Sequence, residues 1–278
     1  MASGINVDAH GASDVGRVRK VNEDQYLIAA LHKVVEVRQT SLPAAACQRF
    51  ESGARALVLL VADGVGGGSR GDEASSLALD TIVSYVTNSM RCFYKLDDRV
   101  QQDLLAELAT VVQQSNTMVR AEAARSGEHV RMATTLTMAH VLWPRAYVVQ
   151  IGDSRCYHLR GTTLVQVTKD QTYAQDLFDR GALSAEEAEV SPLSQVLSRA
   201  IGGEAVDLQP EIGQVELEPG DALVLCTDGL TKHVPDVAIP LVVSAAGGAE
   251  AASRALVDAA LAGGGSDNVT VVVCRFDA

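Results

Sequence analysis

Long apolar runs and paired cysteines are both missing from this sequence. Nothing in its 278 residues approaches the ~20 apolar residues of a membrane span, and residues 1–20 lack the apolar core of a signal peptide. The five cysteines form no C-x-x-C pair, and three of them, Cys156, Cys226 and Cys274, lie in apolar runs typical of strands. We therefore expect buried thiols in a reducing compartment, with the cytoplasm as the location and no membrane partner.

Positive charge is also in deficit. There are 23 Lys and Arg residues against 35 Asp and Glu, so the formal net charge is −12. This balance argues against a non-specific binder of nucleic acid or of anionic membranes, and it is compatible with cation binding. Neither an internal repeat nor a low-complexity linker divides the chain, and 47% hydrophobic residues suffice for a sizeable core. We predict a single domain over residues 1–278.

The hydrophobic pattern changes its period in blocks along the chain. Residues 32–55 read as an irregular connection, and two amphipathic helices are predicted within 74–86 and 104–119. Four short apolar segments between residues 134 and 168 have connections short enough only for hairpins, which predicts an antiparallel meander. This order predicts an α+β domain with helices packed outside antiparallel sheets. The later predicted strands lie at 208–217, 222–227 and 268–276.

The stretch ALVLLVADGVGGGSRGD, residues 56–72, combines a buried strand with a glycine-rich turn. Its seven leading apolar residues are too few for a helix, and Asp63 stands where the predicted strand ends. Gly64 and the glycines at 66–68 allow the backbone to wrap tightly around an ion or a phosphate held by that carboxylate. The same turn formally matches the nucleophile elbow G-x-S-x-G, with Ser69 as the serine.

Four aspartates share one setting in the sequence: Asp63, Asp153, Asp228 and Asp267 each lie at the beginning or end of an apolar, strand-like run. A single Asp in a turn is ordinary, because its side chain caps neighbouring amides. If the strand ends share a rim, however, the four carboxylates converge, and clustered like charges are tolerated only around cations. The repeated setting therefore predicts a cation site.

The residue types in this set indicate which cation and which chemistry. Oxygen-only ligands favour Mg²⁺ or Mn²⁺, and no His or Cys cluster favours zinc. Two such ions about 3.5–4 Å apart can share a bridging water, lower its pKa and clamp a phosphoryl oxygen for in-line attack. Arg19 is the candidate phosphate ligand, because a guanidinium pairs with phosphate through two hydrogen bonds.

Six short motifs follow one another along the chain: Gly16-Arg17-Val18-Arg19 with Asn22-Glu23-Asp24, Val61-Ala62-Asp63-Gly64-Val65-Gly66-Gly67, Ala133-Thr134-Thr135-Leu136, Gly152-Asp153-Ser154-Arg155, Thr227-Asp228-Gly229-Leu230 and Ser266-Asp267-Asn268-Val269. Their joint occurrence in this order resembles the metal-dependent Ser/Thr protein phosphatases of type 2C. The resemblance covers nearly the whole chain. Val65 stands where many eukaryotic relatives carry His, so the sequence is more similar to bacterial members.

The resemblance implies a sandwich of two antiparallel sheets flanked by helices, with two Mn²⁺ or Mg²⁺ ions. Asp63 would bridge both ions. Asp228 and Asp267 would complete one ion, and Glu23 with the Gly64 carbonyl would hold the other. Together with Arg19, the three aspartates are the implied catalytic residues.

The resemblance also implies roles for residues around those ligands. Arg19 matches the phosphate-binding arginine, and Asp24 matches an acidic neighbour that orients metal-bound water. Asp153 and Asn268 are further candidates for binding an ion or supporting its ligands. Many relatives carry an acid four positions after the Asp of Asp-Gly, where Lys232 stands here, so Asp153 lacks that partner for a third ion.

The expected activity is hydrolysis of phosphoserine and phosphothreonine in phosphorylated proteins, in a circuit with a Ser/Thr kinase. One alternative is a module that keeps the fold and binds phosphoproteins without turnover. Another is an α/β-hydrolase that uses Ser69, with His233 and either Asp153 or Asp228. The hydrolase needs a parallel sheet, which the predicted meander does not provide, and it leaves Asp267 without a role.

Overall fold

The computed structural model describes residues 5–32, 34–36, 49–51, 56–65, 70–88, 98–127 and 131–278. Its strands are β1 (Asn6–Asp14), β2 (Asp24–Leu31), β3 (Val34–Glu36), β4 (Arg49–Glu51), β5 (Ala56–Val65), β6 (Ala133–Thr134), β7 (Leu136–Leu142), β8 (Arg145–Ile151), β9 (Arg155–Arg160), β10 (Thr163–Gln166), β11 (Glu211–Glu216), β12 (Ala222–Cys226) and β13 (Val269–Asp277). Its helices are α1 (Gly71–Asn88), α2 (Asp98–Ser126), α3 (Tyr173–Asp179), α4 (Ala185–Val190), α5 (Asp228–Thr231), α6 (Ile239–Ala245) and α7 (Ala249–Ala262), with 3₁₀ turns at Pro192–Gln195 and Asp236–Ala238. None of the helices in these segments is both long and apolar enough to cross a bilayer.

Two antiparallel sheets form the centre of the structure. The first sheet has the strand order β1-β13-β12-β9-β10, and the second has the order β11-β8-β7-β5-β2, with β6 paired to the end of β5. Helices α1 and α2 pack on the outer face of the second sheet, and α6 and α7 pack on the outer face of the first. The predicted α+β sandwich, with layers in the order α-β-β-α, is confirmed.

Strand β5 is buried on both of its faces. Leu59 and Val61 pack between the sheets in a cluster that includes Val272 and Phe276 of β13, whereas Leu60 packs in the cluster beneath α1 and α2. Successive side chains of a strand point to opposite faces, so a strand covered on both sides is apolar at every position. This explains the unbroken apolar run that precedes Asp63.

The predicted four-strand meander is wrong at its middle connection. Strands β7 and β8 pair in the second sheet, and β9 and β10 pair in the first, so both of those hairpins are confirmed. Residues 152–154 do not close a hairpin; they carry the chain from β8 in one sheet to β9 in the other, where β9 pairs with β12. A short turn allows either path, and which one the chain takes depends on the packing of the two sheets.

Two further strand pairs were missed in the sequence. Strand β1 pairs with β13, with Asn6 opposite Asp277 at one end and Asp14 opposite Val269 at the other. Its sequence, NVDAHGASD, has little apolar character. Within the connection expected to be irregular, β3 pairs with β4. The backbone supplies the ladder hydrogen bonds in both cases, so the side-chain pattern carries little signal.

The expected burial of cysteines is confirmed where the structure describes them. Cys156, Cys226 and Cys274 are buried free thiols in β9, β12 and β13. Several other predicted features fall outside the described residues, namely Cys47, Cys92, the glycines at 66–68 and Ser69.

Truncation of Leu59 tests the packing between the sheets. Leu59 is fully buried there, so Leu59→Ala should lower the free energy of unfolding by about 2–5 kcal/mol in urea denaturation. The matched control is Leu241→Ala on α6, where the side chain is 71% exposed and the loss should stay within about 0.5 kcal/mol. Equal losses for the two variants would contradict the assignment of this layer as the central core.

Candidate metal centre

The four aspartates singled out in the sequence meet at one edge of the sandwich. Asp63 lies near the end of β5, Asp228 begins α5 directly after β12, Asp267 precedes β13, and Asp153 lies in the crossover between the sheets. All four line a single cavity of about 670 Å³. The other predicted site residues that line it are Arg19, Glu23, Gly64 and Asn268, together with Lys232.

Strand β5 extends beyond the predicted end at Asp63. Gly64 and Val65 continue the strand because they pair with Thr134 and Ala133 of β6. Asp63 is therefore held by hydrogen bonds of its own backbone, and its amide donates to Thr135 Oγ1 at 2.9 Å. The carbonyl oxygen of Asp63 accepts from the Thr135 amide at 2.8 Å.

Thr135 also connects Asp63 to the crossover that carries Asp153. Its hydroxyl oxygen lies 2.7 Å from Ser154 Oγ, and both side chains are fully buried. Both threonine and serine belong to recognisable motifs, but nothing in those motifs indicates that they contact each other. Thr135 is thus a positioning residue that the sequence did not reveal.

Asp24 does not line the cavity, but it links the two sheets beside it. It is the first residue of β2 and the pairing partner of Asp63. Thr227, at the end of β12 in the other sheet, donates to Asp24 Oδ2 at 2.8 Å and accepts from the Thr270 amide at 3.0 Å. These hydrogen bonds join the ends of the two sheets next to the cavity.

Asn268 fixes the loop that carries Arg19 and Glu23. Its Nδ2 donates to the carbonyl oxygens of Val15 and Val21, both at 2.9 Å, and its Oδ1 accepts from the Glu23 amide at 2.9 Å. The amide group of Asn268 is therefore occupied by backbone contacts. This places Asn268 as a support for its neighbours.

Two glycines allow close backbone contacts around the cavity. A Cβ at Gly64 would lie 2.3 Å from the Gly71 carbonyl oxygen, and one at Gly229 would lie 1.9 Å from the carbonyl oxygen of Asn268. Glu23 also contacts Gly71, because its Oε1 accepts a hydrogen bond from the Gly71 amide at 3.2 Å. Because glycine has no side chain, the end of β5 can lie against the start of α1, and α5 can lie against the start of β13.

For most of the carboxyl groups at this edge, the surroundings favour the protonated form over the ionised one. Burial, followed by the charges of Asp24 and Asp228, raises the pKa of Asp63 well above its usual value. Burial is also the main cause that raises the pKa values of Asp24 and Asp153 to about 7, and it raises the pKa of Asp228. Groups of this kind need a positive charge nearby if they are to ionise at neutral pH.

Two cationic side chains already contact the carboxylates. Arg19 binds Asp267 in two places, with Nε 2.7 Å from Oδ1 and Nη2 3.1 Å from Oδ2. Lys232 Nζ lies 2.5 Å from Asp228 Oδ2 and 2.8 Å from Asp267 Oδ2. Burial opposes ionisation of Asp267, but its hydrogen bonds from Lys232 and Arg19 hold its pKa below the usual value.

The oxygen donors of this cavity fit a hard divalent cation, although their side chains do not converge on a single point. Within the described residues, no group of three His, Cys, Asp or Glu side chains is arranged to hold an ion. Oδ1 of Asp228 and Oδ1 of Asp24 are buried and find no hydrogen-bond partner in the described part of the chain. Oxygen donors of this kind suit Mg²⁺ or Mn²⁺.

The rival catalytic serine gains no support from this geometry. His233 Nε2 accepts from the Ser266 amide at 2.9 Å, which indicates a structural role for this histidine. The described sheets are antiparallel, whereas the hydrolase alternative needs a parallel sheet.

Comparisons with known proteins identify relatives of this chain. The sequence profile of the family described as Protein phosphatase 2C matches residues 45–262. The Ser/Thr protein phosphatase PstP of Mycobacterium tuberculosis is 39% identical over 222 residues, which are 80% of this chain and 40% of that protein. The protein phosphatase PhpP of Streptococcus pneumoniae is 31% identical over 221 residues, which are 79% of this chain and 86% of that protein.

Solved structures are similar over almost the whole chain. The crystal structure of the PstP catalytic domain in complex with 2 manganese ions has a TM-score of 0.74 and 31% identity, and it covers 99% of this chain and 100% of its own. PppA, a key regulatory component of T6SS in Pseudomonas aeruginosa, has a TM-score of 0.73 and 31% identity, with 97% of both chains covered.

The raised pKa values predict how the stability of the metal-free protein depends on pH. Asp24 and Asp153 have pKa values of about 7 when folded, against a usual value of 3.8. The unfolded chain therefore loses these protons at lower pH, and stability should fall as the pH rises from about 4 to 7. In EDTA, the melting temperature should be higher at pH 5 than at pH 7.5.

Asp153→Asn should flatten this dependence, because the amide does not titrate. Asp258→Asn, at an exposed position on α7, is the matched control and should leave it unchanged. A metal-free protein that melts at a higher temperature at pH 7.5 than at pH 5 would contradict the prediction.

Proposed function

This chain belongs to the protein phosphatase 2C family, and we propose that it is a metal-dependent protein phosphatase that hydrolyses phosphoserine and phosphothreonine monoesters. The observation that supports this function most is the convergence of Asp63, Asp228 and Asp267 beside Arg19 on one cavity. The similarity to bacterial Ser/Thr phosphatases supports the same activity. The proposed cofactors are two Mn²⁺ or Mg²⁺ ions, in line with the manganese complex of the similar mycobacterial catalytic domain.

We assign the ligands of the two ions to residues of the cavity. Asp63 would serve both ions, with Glu23 and the Gly64 carbonyl on one side and Asp228 and Asp267 on the other. Bound there, hard divalent ions would lower the pKa of a shared water and so supply a nucleophile at neutral pH. We propose no third ion, because Lys232 stands where many relatives carry the acid that would share such an ion with Asp153.

Arg19 would bind and orient the phosphoryl group of the substrate. Its guanidinium now makes a two-point contact with the Asp267 carboxylate, and the same planar arrangement of donors fits two phosphate oxygens. Substrate binding would therefore exchange one two-point contact for another. Asp24, with Oδ2 held by Thr227, keeps Oδ1 as an acceptor for a water of the centre.

The proposed substrates are phosphorylated proteins, in a circuit with a Ser/Thr kinase in the cytoplasm. The net charge of −12 supports a partner other than nucleic acid or an anionic membrane. The family resemblance supports the pairing with a kinase.

Metal dependence is tested by hydrolysis of p-nitrophenyl phosphate and of a phosphothreonine peptide. We expect turnover with Mn²⁺, loss of turnover in excess EDTA, and at least a 100-fold lower kcat in Asp63→Asn, because Asp63 serves both ions. Asp258→Asn is the control for the same chemical change at an exposed site on α7 and should retain wild-type turnover.

Each alternative function has its own outcome in these assays. Tight binding of the phosphopeptide without turnover would favour the inactive binding module. EDTA-resistant turnover that is lost in Ser69→Ala would favour the hydrolase. Full activity in Asp63→Asn or Asp267→Asn would contradict the proposed ligand set.

Removal of the Arg19 guanidinium should chiefly weaken substrate binding. A charged hydrogen bond contributes about 1.5–3 kcal/mol, so Arg19→Ala should raise KM for the phosphopeptide about 10- to 100-fold, with a smaller change in kcat. Steady-state kinetics with saturating Mn²⁺ measure both constants. Arg254→Ala removes an exposed arginine that pairs with Glu250 on α7, and it should leave KM unchanged.

A further inference from the structure

Lys232 sits between two carboxylates that the proposed function assigns to one ion. It follows Asp228 by four residues, and its side chain turns back so that Nζ contacts Asp228 Oδ2 at 2.5 Å and Asp267 Oδ2 at 2.8 Å. Only 24% of the lysine side chain is exposed, and the two carboxylates are 18% and 17% exposed. One ammonium group thus neutralises two anions that would otherwise repel each other.

A divalent ion and the Lys232 ammonium compete for this pair of carboxylates. An ammonium group has only donors, so it cannot act as a ligand itself, and it uses one oxygen of each aspartate. A divalent ion at the same oxygens would also lie within a few ångströms of a positive charge. Binding of an ion through Asp228 Oδ2 and Asp267 Oδ2 therefore requires Lys232 to leave both residues.

Asp153 offers Lys232 a second partner at the same cavity. Both residues line the cavity of the proposed centre and also the adjoining cavity of about 770 Å³ that contains Arg155 and Asp170. The ammonium charge already acts on the Asp153 carboxylate in the present arrangement. A lysine side chain has enough rotatable bonds to move from one carboxylate to another.

We propose that Lys232 is a displaceable internal cation of the metal centre. It stabilises Asp228 and Asp267 while no ion is bound and turns toward Asp153 when an ion binds. Ion binding at the Asp228–Asp267 pair is weakened as a result, compared with a protein that lacks this charge. This inference rests on the proposed function, because it takes the two aspartates to be ligands.

Calorimetric titration with Mn²⁺ and thermal melting in EDTA test the proposal together. In Lys232→Met, which keeps the length of the side chain and removes its charge, one of the two Mn²⁺ affinities should rise about tenfold. The metal-free melting temperature should fall by several degrees, because Asp228 loses its ion-pair partner and Asp267 keeps only the contact with Arg19. Lys232→Arg should keep the wild-type affinity and melting temperature, and Lys232→Gln provides a second neutral variant.

Lys169→Met is the matched control for these measurements. Lys169 also forms an ion pair, with Nζ 2.6 Å from Asp179 Oδ2, but it does not line the cavity of the centre. Its variant should leave Mn²⁺ affinity unchanged. Unchanged or weaker Mn²⁺ binding in both Lys232→Met and Lys232→Gln would overturn the proposal.

A separate variant distinguishes this failure from failure of the metal centre itself. If Asp63→Asn binds Mn²⁺ as the wild type does, the proposed centre is wrong. If Asp63→Asn loses Mn²⁺ binding while the neutral Lys232 variants match the wild type, only the role of Lys232 is wrong.

Discussion

Repulsion among carboxylates held together at the end of the sandwich is the constraint on which the rest of this structure depends. Burial and mutual charge both oppose ionisation of Asp63, and burial raises the pKa of Asp24, Asp153 and Asp228 as well. A folded protein tolerates such an arrangement if positive charge compensates it or if some of the carboxyl groups stay protonated. Lys232 supplies part of that charge in the conformation described, and divalent ions would supply more of it.

Small polar side chains hold this unfavourable arrangement in place. Thr135 binds the backbone of Asp63, Thr227 joins Asp24 to the opposite sheet, and Asn268 holds the loop that carries Glu23. Each of these side chains is buried and hydrogen-bonded, so its position is well defined. These contacts fix the backbone at Asp63 and Glu23 and one carboxylate oxygen of Asp24.

Local patterns predicted an α+β domain and placed the aspartates at strand ends, whereas the sandwich of two sheets was implied by the family resemblance. Apolar runs covered on two faces identify strands such as β5, and a carboxylate at the end of each run marks the edge of a sheet. The path of residues 152–154 between the sheets and the pairing of β1 depend on long-range packing, which no local pattern records. The contacts of Lys232 were missed for a related reason, since its helical spacing from Asp228 does not show that Asp267 lies alongside.

The buried thiols of Cys156, Cys226 and Cys274 can be used to follow unfolding of this fold. Burial raises the pKa of Cys226 to about 12 and moves those of Cys156 and Cys274 higher as well. Only the thiolate reacts with alkylating reagents, so these side chains are protected both by exclusion of the reagent and by the scarcity of the reactive form. Because they lie on three adjacent strands of the first sheet, their alkylation requires the sandwich to open, and its rate reports how often that happens.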